Sequence, residues 1–150
     1  MRTSMNSRPV FGLLAFLCLE IAGRLCAAQT PECRYPSNLS KTNVTAYIAL
    51  RKIIPARFHA TDWIYKLEGV QGQVTNVSVG PPTGGAWYLY GSVCKPHDCG
   101  ENNFSFLVEQ YGSRAVGLLV SRSEAPGKTI ALGSPTGIEL TLLRAKIAQW

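Results

Sequence analysis

The chain has no apolar run long enough to span a bilayer, no closely paired C-x2-C, and no gathered stripe of basic residues, although its formal charge is +6 over 150 residues. Each lack removes a class of function. A membrane helix needs about 20 consecutive apolar residues, and the best candidate, "FGLLAFLCL" from Phe11 to Leu19, is far shorter. Structural zinc sites and thiol oxidoreductases use cysteines two residues apart. Nucleic-acid proteins gather Lys and Arg with aromatics between them; here Arg51 with Lys52, Arg57, Lys66, Arg114, Arg122, Lys128, Arg144 and Lys146 are scattered. No cysteine follows a lipobox: Cys18 follows "AFL", Cys26 follows "GRL" and Cys33 follows "TPE". Charged residues make up only 16%, yet 46% are hydrophobic, with 14 glycines and 9 prolines, which is the composition of a folded, turn-rich globular protein. The length suits one domain around one core.

What the chain does have begins with a basic start, Arg2 and Arg8, followed by that short apolar run and the small residues of "LCAAQT". This is the order of a secretory signal, so residues 1–28 are expected to be cleaved between Ala28 and Gln29, leaving 29–150 as the exported domain. A buried N-terminal helix is the alternative. Cleavage leaves twelve basic against eight acidic side chains, a charge of +4, and three cysteines: Cys33, Cys94 and Cys99. In an oxidising compartment the close pair Cys94 and Cys99 should be bridged, which leaves Cys33 as an inert thiol near a loose terminus, as half of a pair between chains, or as a sign that the mature chain starts elsewhere.

"TNVTAYIALRKII" places Val44, Tyr47, Ile48 and Ile54 near helical spacing before Pro55, which predicts one helix. From Gly72 the period changes to two. The runs "GQVTNVSV", "AWYLYGSV", "FSFLVEQY", "AVGLLVS" and "KTIALG" predict about five strands, with Phe104, Phe106 and Val108 on one face. Connections this short require antiparallel neighbours, hence a meander. Pro135, and Thr136 with Glu139 as a capping box, open a last helix whose stripe is Ile138, Leu142, Ala145 and Leu143. The expected fold is α+β: an antiparallel meander flanked by N- and C-terminal helices.

On this layout "CKPHDC" sits at a hairpin tip, where Cys94 and Cys99 enclose Lys95, Pro96, His97 and Asp98. A zinc site would need four ligands from six consecutive residues to converge on one ion, which tetrahedral geometry opposes. A spacing of four in a hairpin does not suit a redox pair. Adjacent His97 and Asp98 make a poor base and orienter, and no nucleophile can be nominated, so neither an enzyme nor a cofactor is expected. His59 takes a structural or surface role. A plain stapled turn would account for a bridge, but not for a rigid tip that carries a cation, an imidazole and a carboxylate, the groups binding tips present. Trp63, Trp87 and the tyrosines of "WYLY" are assigned to core or sheet face.

The contiguous "CKPHDC" resembles the signature loop of the bacterial inhibitor of vertebrate lysozyme family, Ivy. Weaker agreement in "IPARF", "VGPP", "CGEN", "AVGLLV" and "ALGSP" extends it from about Thr42 to Trp150. The resemblance implies a periplasmic protein whose loop enters the cleft of C-type lysozymes. It makes His97 the inserting residue, with Lys95 and Asp98 beside it, Pro96 shaping the turn, and Cys94 with Cys99 as the clamp. Such lysozymes use one carboxyl as acid and one as nucleophile, and an imidazolium donates from both ring nitrogens. A lytic transglycosylase is the alternative target, and the resemblance allows a homodimer.

Overall fold

The computed structural model describes residues 35–147, apart from 82, 123 and 125. The expected signal, its cleavage point and Cys18, Cys26 and Cys33 lie outside the described residues. Six strands, β1 (Val70–Gln71), β2 (Thr75–Val79), β3 (Ala86–Cys94), β4 (Asn102–Glu109), β5 (Ala115–Ser121) and β6 (Thr129–Leu132), form one antiparallel sheet. The five strands anticipated from alternation are β2 to β6. The addition, β1, is two residues long, too short for a period to show. It shares an edge of β3 with β2: Gln71 pairs with Val93 and Thr75 with Tyr90, so the three residues between β1 and β2 oppose two of β3. That is a one-residue bulge, which bends the edge and interrupts its pairing.

The helices are α1 (Leu39–Thr42), α2 (Val44–Ile53), α3 (Asp62–Tyr65) and α4 (Gly137–Ile147). The first three cover one face, where Leu39, Ala46, Leu50, Phe58 and Ile64 meet Leu89, Val93, Phe104, Phe106, Val108 and Leu119. α4 covers the other through Leu143, packed with Tyr88, Tyr90, Leu107, Val116 and Leu118. Phe104, Phe106 and Val108 share a face as alternation required. The rings need room beneath them: a Cβ on Gly91 would lie 2.4 Å from the Phe106 ring, and one on Gly117 2.5 Å from that of Phe104.

Both helix faces differ from the sequence expectation. Helix α2 is capped by Asn43, whose side chain accepts from the Ala46 amide at 3.0 Å, and ends before Pro55. Its buried residues are Ala46, Ala49 and Leu50, while Val44 and Ile48 are about half exposed. Small alanines let the helix approach the sheet closely, and that outweighs the larger β-branched pair in choosing the face. In α4 the capping box forms: the Thr136 amide donates to Glu139 at 2.6 Å and the Glu139 amide to Thr136 Oγ1 at 3.4 Å. The buried residues, however, are Glu139 and Leu143, and Ile138 is 60% exposed.

Glu139 turns inward because its carboxylate finds partners there. Arg114 donates from Nε at 3.2 Å and Nη2 at 2.9 Å, and the Tyr88 hydroxyl donates at 3.0 Å. Burial alone would raise the carboxyl's pKa; the Arg114, Thr136 and Tyr88 hydrogen bonds prevail and hold it at about 2. The same bridge raises the Arg114 value, and burial followed by Glu139 raises that of Tyr88.

Candidate functional site

The loop between β3 and β4 is built on two hydrogen-bonded turns. Lys95 N donates to the Asn102 carbonyl at 2.9 Å and extends the ladder one step beyond the Cys94–Asn103 pair. Asp98 N donates to the Lys95 carbonyl at 3.1 Å, closing a four-residue turn with Pro96 and His97 at its centre. His97 has φ +64. Proline followed by a positive φ is the pattern of a type II turn, whose third position favours Gly or Asn. An L-residue there costs roughly 1–2 kcal/mol, and such cost at an exposed tip points to function. The second turn runs from the Asn102 amide to the Asp98 carbonyl at 3.0 Å.

The tip divides into a presented part and a braced part. Lys95, Pro96 and His97 are exposed. Asp98 is half-buried, and its Oδ2 accepts from Asn102 Nδ2 at 2.7 Å and lies 4.0 Å from Lys95 Nζ. Asn103 Nδ2 donates to the Cys99 carbonyl at 2.9 Å, and Cys94 is bonded to Cys99. Cys94 is fully buried, which anchors the staple in the sheet. In so small a loop the chain-entropy model gives only about 2 kcal/mol to global stability. The staple's larger effect is to hold the tip's shape before any partner arrives.

Lys95, Pro96, His97 and Asp98 therefore stand together at one end of the sheet, as a hairpin tip required. Asn102 and Asn103 were not singled out by sequence reasoning. The signal was two amide side chains directly after the loop, able to reach back across it. At the loop's root a cavity of about 300 Å³ is lined by Thr61, Trp63, Lys95, Asn102, Ser121 and Glu124, so its polar wall adjoins the tip. His59 is stacked on Tyr65 at 4.1 Å with Nε2 3.4 Å from the Ile54 carbonyl. Tyr88, Tyr90 and Trp63 are core, while Trp87 lies on the sheet with 56% exposure. Among the described residues no three His, Cys, Asp or Glu side chains are grouped to hold a metal ion, and no helix is long and apolar enough to cross a membrane.

Residues 68–137 match the model of the family described as Inhibitor of vertebrate lysozyme (Ivy). Over that stretch, a little under half of its length, the chain is similar to the Ivy family. The Ivy match runs from just before β1 to the start of α4 and contains the whole loop; it is narrower than the likeness of scattered motifs from Thr42 onward. No curated protein matches the chain.

Proposed function

We propose that this Ivy-like protein is a periplasmic inhibitor of C-type lysozyme that blocks the catalytic cleft with the loop Lys95–Asp98. The observation that carries the proposal is His97, an exposed side chain on a strained turn, closed by the Cys94–Cys99 bond and backed by Asn102 and Asn103. A tip ordered in advance loses little entropy on insertion. In the cleft the imidazole takes the place of the scissile sugar and donates to the acid and nucleophile carboxyls, a charge-assisted contact. Asp98 is already engaged by Asn102 and Lys95, so it does not oppose those carboxyls. The enzyme is blocked without being modified, and the inhibitor itself catalyses nothing.

Charge gives a second reading some support. Vertebrate lysozymes are basic, and an exported chain of +4 gains no attraction from net charge. A lytic transglycosylase, which cuts the same glycan with a carboxylic acid, would meet the same imidazole. The test is to titrate hen-type lysozyme and a lytic transglycosylase on cell walls with the chain from Gln29. Stoichiometric loss of lysozyme activity supports the first reading. Loss of transglycosylase activity alone transfers the role to the second, and an effect on neither removes both.

A further inference from the structure

At the end of the sheet away from the loop, four large hydrophobic side chains are exposed: Val44 at 53%, Ile48 at 48%, Trp87 at 56% and Tyr111 at 69%. Contacts make them neighbours. The turn after β4 lies against the start of α2, since a Cβ on Gly112 would sit 2.6 Å from Thr45 Cγ2 and 2.9 Å from the Ala46 amide. The same turn touches β3, where the Gln110 amide donates to the Trp87 carbonyl at 3.0 Å. The C-terminal end of α2 reaches Gly133 beyond β6, so the whole helix crosses this end.

The charge around the patch has one sign on the helical side. Lys41, Val44, Thr45, Ile48 and Lys52 are all exposed, at intervals that keep them on the outer side of α1 and α2. From Tyr35 to Ile54 the chain has no Asp or Glu and carries Lys41, Arg51 and Lys52, while Arg57 pairs with Glu124 at 3.3 Å. The acids near the patch are Glu109, half-buried, and Glu139, which is held in the Arg114 bridge. By contrast Glu68, Asp98, Glu101 and Glu124 belong to the loop end, as the pairing of Val70 with Cys94 and the lining of the root cavity place them.

From this partition we infer that the α1–α2 face, with Trp87 and Tyr111, seats the protein on an anionic phospholipid surface and directs the loop away from it. Aliphatic tips meet the acyl boundary, indole and phenol rings settle at headgroup level, and lysines reach the phosphates. Two copies meeting through the same face would bring Lys41 and Lys52 together with no facing carboxylates, which disfavours self-association. The site is weak by design of its size: each lysine near an anionic surface contributes about fivefold in affinity.

The test is cosedimentation of the chain from Gln29 with vesicles of equimolar phosphatidylglycerol and phosphatidylcholine, against phosphatidylcholine alone. Binding to the anionic vesicles is expected to be at least about tenfold tighter. Lys41→Glu with Lys52→Glu should remove that difference, and Val44→Ser with Ile48→Ser should weaken anionic binding, both with an unchanged thermal midpoint. No binding to anionic vesicles, equal binding to both, or variants that bind like the parent would overturn the inference. So would a concentration-dependent dimer abolished by Val44→Ser with Ile48→Ser, which would give the patch to a second copy.

Discussion

On the proposed role of the loop, His97 sets stability and function against each other at a single position. The positive φ suits glycine better than histidine, so His97→Gly relieves strain that offsets the greater freedom glycine gives the unfolded chain. Its thermal midpoint is expected to stay level or rise. Inhibition of lysozyme should weaken by about a hundredfold, the loss typical of a central contact residue. His97→Ala keeps the strain and loses the imidazole, so it should inhibit as poorly with no gain in stability. Thermal melts alongside activity titrations check both. Unchanged potency in His97→Gly would mean that the ring does not carry the contact.

Among the elements, α4 is locked through one carboxylate. Glu139 has a folded pKa of about 2 against an ordinary 4.5. A depressed value stabilises the fold above pH 4.5, and that contribution is lost as pH falls toward 2. Glu139→Gln should therefore cost on the order of 2 kcal/mol at neutral pH, with the gap to the parent closing in denaturant melts between pH 4.5 and 2. A gap that holds constant over that range would assign the stability to packing instead of charge. The same residue shows where sequence reading stops. Its place in a capping box was legible from Thr136 three positions earlier, but its inward direction depends on Arg114 and Tyr88, which are distant in the chain. Strands β2 to β6 were legible because alternation is local, and the hairpin tip followed from them. The buried face of α2 was not, because Ala46 and Ala49 pack by closeness, a property of the sheet beneath them. Nor was the sign of φ at His97, which only the closed turn reveals.

Across the whole molecule, charge and shape divide the two ends: mixed charges surround the loop, and an acid-free basic stretch surrounds α2. On the proposed reading, in which inhibitor and lysozyme are both net positive, their association depends on local fit and not on steering. The association rate is therefore expected to stay level or rise as salt is added, since screening removes repulsion. A steep fall in stopped-flow measurements would reveal an attractive field that this charge distribution does not supply. The most direct test of cleft blockade is the dissociation constant of the Gln29–Trp150 chain for hen-type lysozyme, measured with and without a saturating N-acetylglucosamine oligomer. The account predicts that the saccharide excludes the loop and raises the apparent constant in proportion to the free saccharide concentration. An unchanged constant, with both ligands bound at once, would contradict it.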